Sequence, residues 1–469
     1  MHTFALLASL AVGASAGTIS APFVKQKLSL DSSVHKRDTL TLTALNNITG
    51  GGYYSEFEIG TPGQKISFHL DTGSSDTWVN SVDTDLCNSE RLQESTGPCL
   101  ATYNPDKSST YKLVGQDEFD ISYLDTRQIT GDYFNDTVTI DGKSVKKQQL
   151  GLAVKSLSAT GIMGLGFSTG VAGNKTYPAI VENMESQGLI ERAVYSLWLN
   201  DLDSEEGTIL FGGIDTQKFV GKLATLPLLP LSKDRNITAF AISLKSLGVT
   251  MPSGENNLKL DDFRNDTLTI VDSGSTACQM PDSQVEEIYK AFDVVSIKEV
   301  PTPFVNCAYG KSKGKGITFD FKFDGKTIAV PMKEMVINAF EEQQDVFKDP
   351  LVASLFKDWD GVCMFGISPI SKYGVSSGTL TLLGDTFLRS AYVVYDLTNE
   401  QLGIAAANHR SNNSDIVELK KGDTKLPNVS GVEKASTFDD DDDDNAAGHL
   451  SPAFMVTFFM VAGVALTLW

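Results

Sequence analysis

From about residue 53 to 408 the apolar positions fall in short runs divided by glycine-rich turns, and long helical patterns are rare. Tyr53–Ile59, Ile66–Leu70, Thr137–Ile140, Thr208–Phe211, Phe319–Phe323 and Tyr392–Tyr395 are examples of runs that read as strands. Two helices stand out. Tyr177–Gln187 carries Pro178 in its first turn and stops at Gly188. Asp282–Phe292 follows Pro281, takes Asp282 as its N-cap, and sets Val285, Ile288, Tyr289 and Phe292 on one face. The pattern predicts a mostly β protein with both helices in core packing.

Two of the strand ends nearly repeat each other. Asp71-Thr72-Gly73-Ser74-Ser75 follows the apolar run Ile66–Leu70, and Asp272-Ser273-Gly274-Ser275-Thr276 follows Leu268–Val271. Each repeat is trailed by an apolar-apolar-glycine step, Ile162-Met163-Gly164 in the first half and Leu382-Leu383-Gly384 in the second. Glycine at such a step lets another backbone come close. One Asp turn would be weak evidence, since Asp favours turns anyway. Two, with matching glycine steps, predict a duplicated fold that brings two carboxylates face to face. Such a pair shares one proton and can activate water.

The ends add addresses. Residues 1–16 have a short apolar core, Phe4–Val12, and a small-residue cleavage site, Ala14-Ser15-Ala16, and read as a secretory signal. Lys36-Arg37 before Asp38 is a dibasic processing site in that context, so 17–37 reads as a short propeptide. The two lobes of the duplicated fold then span 38–225 and 226–410. From 411 to 445 the composition turns polar and ends in six aspartates, Asp439–Asp444, which predicts a disordered stalk. The apolar end Ala453–Trp469 follows the small residues Asn445-Ala446-Ala447 and a spacer. This reads as a GPI-anchor signal over 446–469 with attachment at Asn445; a tail-anchored helix is the other reading.

The 469 residues carry 39 Lys and Arg against 59 Asp and Glu, a net charge of -20. That balance argues against nucleic acid as a partner and suits solubility in acid. Sequons at Asn47, Asn135, Asn174, Asn236, Asn265, Asn412 and Asn428 favour glycan-bearing surface loops. Of five cysteines, Cys87 with Cys99 and Cys307 with Cys363 is the simplest of the possible pairings in an oxidising compartment. Cys278 is left as a buried free thiol.

The chain resembles the pepsin-like aspartic endopeptidases over about 53–408. The resemblance rests on the two Asp turns, Trp78, both glycine steps, Phe387-Leu388-Arg389 and Tyr395-Asp396. With the secretory signal, dibasic site and GPI-like tail, it is similar to the fungal GPI-anchored yapsins and candidapepsins. The resemblance implies a bilobal fold with the cleft between two homologous lobes. It also implies peptide or protein substrates, a monomer, no metal and no cofactor. Asp71 and Asp272 would be the dyad. The backbone N–H groups around Gly73 and Gly274 would face the carboxylates, Ser74 and Ser275 would be outer hydrogen-bonding hydroxyls, and Thr72 and Ser273 a cross-lobe pair.

Tyr123, in a hairpin that ends near Gly131, matches the family's flap tyrosine. Leu124 and Thr126 stand where the family has glycines. Asp125 matches a position where fungal members accept a basic side chain, and predicts a preference for Lys or Arg at the cut. His69 shares the strand face of Asp71 by period-two alternation. It is expected to line the cleft and to be cationic in acid, which would favour acidic or polar groups nearby. The reading is a secreted, cell-surface, GPI-anchored aspartic endopeptidase of the plasma membrane or cell wall. A soluble secreted or vacuolar protease, or a silent wall or adhesion homologue, is the alternative.

Overall fold

The computed structural model describes residues 17–27 and 51–435, apart from 97, 125, 205, 232–235, 254–255, 261–267, 299, 351 and 376–379. The signal segment, Lys36-Arg37, Asn47, Asp125, Asn265, the aspartate run, Asn445 and the apolar tail lie outside the described residues.

The first half is built from β1 (Ile19–Lys27), β2 (Gly51–Ile59), β3 (Gln64–Asp71), β4 (Thr77–Asn80), β5 (Lys112–Ser122), β6 (Gln128–Ile140), β7 (Lys143–Lys155) and β8 (Gly161–Gly164). Strict alternation makes β3: Ile66, Phe68 and Leu70 are buried, while Ser67 and His69 face the other way. β3 pairs antiparallel with β2 and parallel with β8. β8 pairs antiparallel with β4, and β4 parallel with β7.

The second half repeats this order. Strand Leu268–Val271 pairs antiparallel with Ala241–Ser243 and parallel with Leu380–Leu383. Leu380–Leu383 meets Cys278–Met280 antiparallel, and that strand meets Ile367–Pro369 parallel. The same alternation of pairings puts each Asp turn at the end of the second strand of its set. This topological duplication is what the near-repeat of sequence encodes.

The halves are joined by one 13-stranded sheet. In it β9 (Val194–Trp198) pairs with Ala391–Asp396 on one side and with β10 (Glu206–Phe211) on the other. The seam is aromatic, with Tyr195 stacked on Tyr395 at 4.8 Å between ring centroids and Phe240 edge-on to Tyr395 at 4.7 Å. Two buried ion pairs, Arg192 with Asp396 and Arg389 with Glu334, brace the same region.

β1 lies inside the segment read as a propeptide. It sits between β10 and β2, with Ile19, Ala21 and Phe23 buried. Gly207 faces it, since a Cβ there would fall 2.1 Å from the Phe23 ring.

Both helices form, the first with a later start and the second over the expected span with a different cap. The first runs Ile180–Ser186, so Pro178 precedes it rather than entering its first turn. The second runs Asp282–Phe292, but Pro281 is its N-cap and Asp282 its first helical residue. The expected stalk needs correcting from 411 to 435. Ile416–Glu418 pairs with Gly213–Asp215, and Leu419 and Leu426 are buried against the joined sheet. The polar composition there hid a few apolar anchors sufficient to dock the strap.

Cys87–Cys99 and Cys307–Cys363 are the disulfides, and Cys278 is a buried free thiol pushed up to about 11 by burial. Asn174, Asn236, Asn412 and Asn428 are exposed, whereas Asn135 is half-buried on β6 between Lys112 and Gln149.

Candidate active site

The two Asp turns meet across the seam, and the contacts come in matched pairs. Asp71 accepts from Gly73 N at 2.8 Å and from Ser74 Oγ at 2.5 Å. Asp272 accepts from Gly274 N at 2.7 Å and from Ser275 Oγ at 2.8 Å. Each glycine faces the opposite carboxylate: a Cβ on Gly73 would fall 2.4 Å from Asp272 Oδ1, and one on Gly274 2.3 Å from Asp71 Oδ1.

The turns are also tied to each other. Thr72 Oγ1 donates to Val271 O at 2.9 Å and accepts from Ser273 N at 3.0 Å. Ser273 Oγ donates to Leu70 O at 2.9 Å and accepts from Thr72 N at 3.2 Å. All four groups are buried, so the reciprocal bonds satisfy them and fix the two turns in one geometry. The glycine steps close in from behind. Asp71 O accepts from Leu165 N at 2.9 Å and Leu383 O from Asp272 N at 2.9 Å. A Cβ on Gly164 would lie 2.5 Å from Ser75 C, and one on Gly384 2.3 Å from Ser275 O.

Burial first, then the charge of Asp71, push Asp272 up to about 8, against the opposing hydrogen bonds from Ser275 and Gly274. The pair therefore keeps one proton through the acid range. Such a pair can take a proton from a water held between its members while its own proton goes to a carbonyl oxygen.

β5 and β6 form the hairpin over this pair, with Phe119 opposite Gly131 and Ser122 opposite Gln128. Tyr123 is at its end, and its hydroxyl accepts from Trp78 Nε1 at 2.7 Å. Burial, then the negative charge of Asp71, raise the phenol's pKa, which keeps it neutral. Thr126 sits in the left-handed region at φ 69°, where glycine would be at ease. His69 stacks on Tyr54 with centroids 5.1 Å apart, and its Nε2 is covered without a partner. Burial lowers it to about 4, so it is neutral over most of the acid range rather than cationic as the sequence suggested.

Three contributors escaped the sequence reading. Asp76, fully buried, accepts from Tyr133 Oη at 3.0 Å, Tyr177 Oη at 2.6 Å and Ala172 N at 2.7 Å, and so ties the segment after the first Asp turn to the flap strand and a neighbouring loop. Its only signal was an acid set between Ser75 and Thr77, just ahead of the apolar pair Trp78-Val79. Asp385 stands behind Asp272 with both oxygens buried and unpartnered, and burial raises its pKa well above the usual carboxylate value. Tyr54 gave no signal beyond its place in a strand.

Two duplicated β lobes, each giving one carboxylate turn to a shared cleft under a hairpin, define an acid-dyad peptide hydrolase. The chain belongs to the eukaryotic aspartyl protease family, whose model matches residues 52–407. It is similar to the probable aspartic-type endopeptidase OPSB of Arthroderma benhamiae, 36% identical over 391 residues, 82% of this chain and 74% of that one. It is also similar to candidapepsin of Candida tropicalis (29% identical, 82% of this chain and 86% of that one) and to secreted aspartic protease 7 of Candida albicans (28%, 82% and 65%). The protein is thus an aspartic-type endopeptidase. Among the described residues no helix is long and apolar enough to cross a membrane.

Proposed function

We propose that Asp71 and Asp272 hydrolyse peptide bonds as a single unit, in an enzyme secreted and held at the cell surface by a C-terminal lipid. The observation that carries the dyad is the reciprocal placement of each turn's glycine against the other turn's carboxylate. Water held between the carboxyls loses a proton to the pair as it attacks the carbonyl carbon. The carbonyl oxygen takes the proton the pair already holds, and the collapsing intermediate passes a proton to the leaving amine. Thr72 and Ser273 hold the turns together, Ser74 and Ser275 orient the carboxylates, and Tyr123 closes over the substrate.

The secretory signal and the small-residue, spacer and apolar tail pattern support the cell-surface part. Asp125 supports a preference for Lys or Arg at the cut. Acid proteolysis by protein released from cells with a phosphatidylinositol-specific phospholipase, blocked by a statine inhibitor, tests enzyme and anchor together. Activity that survives Asp71→Asn would remove the dyad. A Lys and Arg preference unchanged by Asp125→Ala would remove the specificity reading.

A further inference from the structure

Gly17 stands two residues before β1, which Ile19, Ala21 and Phe23 seat in the joined sheet. It holds φ at 115°, a backbone angle that residues with a Cβ rarely adopt. It is also enclosed from two sides. A Cβ on Gly212, which follows β10, would fall 2.4 Å from Gly17 O. A Cβ on Gly17 itself would fall 1.9 Å from Glu418 Oε1 on the docked strap. A glycine nitrogen lies about 2.5 Å from the point its Cβ would take, so Gly17 N is no more than about 4.4 Å from that oxygen.

Glu418 has an acceptor to spare on that side. Its Oε2 accepts from Lys420 Nζ, whereas Oε1 is covered from solvent and has no partner among the described residues. Lys420 also donates to Glu191 Oε1 at 3.1 Å, and Lys421 N donates to Glu191 Oε2 at 3.3 Å. One ammonium is thus shared by two carboxylates, and the covered oxygen of Glu418 faces Gly17. A carboxylate oxygen kept from water without a donor is costly. A second ammonium, at Gly17 N, would meet it with a charge-assisted hydrogen bond and balance the two acids.

The sequence can supply that ammonium. Ala14-Ser15-Ala16 ends the secretory signal immediately before Gly17, so removal of 1–16 turns a peptide nitrogen into an α-ammonium. We propose that the Gly17 α-ammonium created by signal removal docks on Glu418 Oε1 and clamps the start of the chain to the strap. This rests on the secretory part of the proposed function and adds a structural use for the new chain end. Chain ends fray unless they are tied down. The clamp secures β1, the strand through which β10 and the joined sheet reach β2 and the first half. Signal removal therefore completes the fold as well as releasing the chain.

The test uses the full secreted chain with Lys36→Gln and Arg37→Gln, which keep β1 covalently attached. N-terminal sequencing should give Gly17 first. An amine-acylating reagent at about pH 6.5 reads the neutral fraction of the α-amine, which falls about tenfold for each unit that a nearby carboxylate raises its pKa. The Gly17 amine should react about tenfold more slowly than in a peptide of residues 17–27, and Glu418→Gln, of the same shape, should restore most of the rate. One alanine inserted before Gly17 displaces the charge. It should lower the melting temperature, as should Glu418→Gln, and the two together should lower it no further than either alone. An amine that reacts at the peptide's rate, or losses in melting temperature that add, overturns the clamp alone. So does a chain that has lost Met1 but begins at a residue other than Gly17. A chain that still begins at Met1 overturns the secretory reading with it.

Discussion

Gly274 and Asp71, from opposite halves of the chain, stand so close that a methyl group on the glycine would fall 2.3 Å from the carboxylate oxygen. The obstacle is a side-chain oxygen and not backbone, so Gly274→Ala has a way to fold. The carboxylate must move, and it can do so only by giving up Gly73 N or Ser74 Oγ. The expected outcome is a folded enzyme with kcat reduced about 100-fold or more, since misplacing a reacting group by about 1 Å costs that much. Circular dichroism and kcat on one peptide check both halves. A variant with wild-type kcat would mean that the glycine does not set the dyad's geometry.

Stability should fall as pH rises. Asp272 is carried from 3.8 to about 8 by burial and then by the charge of Asp71. Asp385, buried behind it, is raised well above 3.8 by burial, with Arg389 opposing. A carboxyl whose folded pKa is raised stabilises the fold fully below its unfolded value and loses that contribution as pH climbs through the folded one. The melting temperature should therefore drop between about pH 4 and pH 8. Asp385→Asn cannot ionise and should flatten the slope while leaving the acid-side melting temperature near wild type. An unchanged slope in the variant would remove Asp385 from the account.

That contrast shows what the chain reveals locally and what it conceals. The Asp turns, the glycine steps and the period-two face shared by His69 and Asp71 are properties of adjacent residues, so they could be read directly. Asp385 could be seen beside Gly384, but its burial depends on strands far away in sequence. The strap at 411–435 failed for the opposite reason. Its composition is that of a solvated tail, and two buried leucines decide its fate.

Those leucines give a direct test of the strap. Leu419 and Leu426 pack against residues such as Ile214, Phe219 and Leu223. Backbone bonds from Leu419 N to Gly212 O and from Leu223 N to Val429 O hold the segment in register. Arg192, paired with Asp396, also donates to Lys425 O at 3.3 Å. Leu419→Ala or Leu426→Ala should each cost about 2–4 kcal/mol, the usual range for emptying a buried leucine site. Urea unfolding at acid pH measures it. Losses below about 0.5 kcal/mol, typical of surface positions, would mean that the strap is not docked in solution.

Thr126 tests the flap. It holds φ at 69°, a region where a β-branched residue is strained by roughly 1–2 kcal/mol, and its N–H donates to Tyr123 O at 2.9 Å. Thr126→Asn tolerates the same backbone angle and keeps the donor, so KM should be no higher than in the wild type. Thr126→Pro has neither the angle nor the N–H. It should break the turn that sets Tyr123 against Trp78 and lower kcat/KM about tenfold or more, as for other groups positioned over a reacting centre. The residue is exposed, so the melting temperature should change little in either variant. Equal kcat/KM in the Asn and Pro variants would mean that the turn at 123–127 does not hold Tyr123 for catalysis.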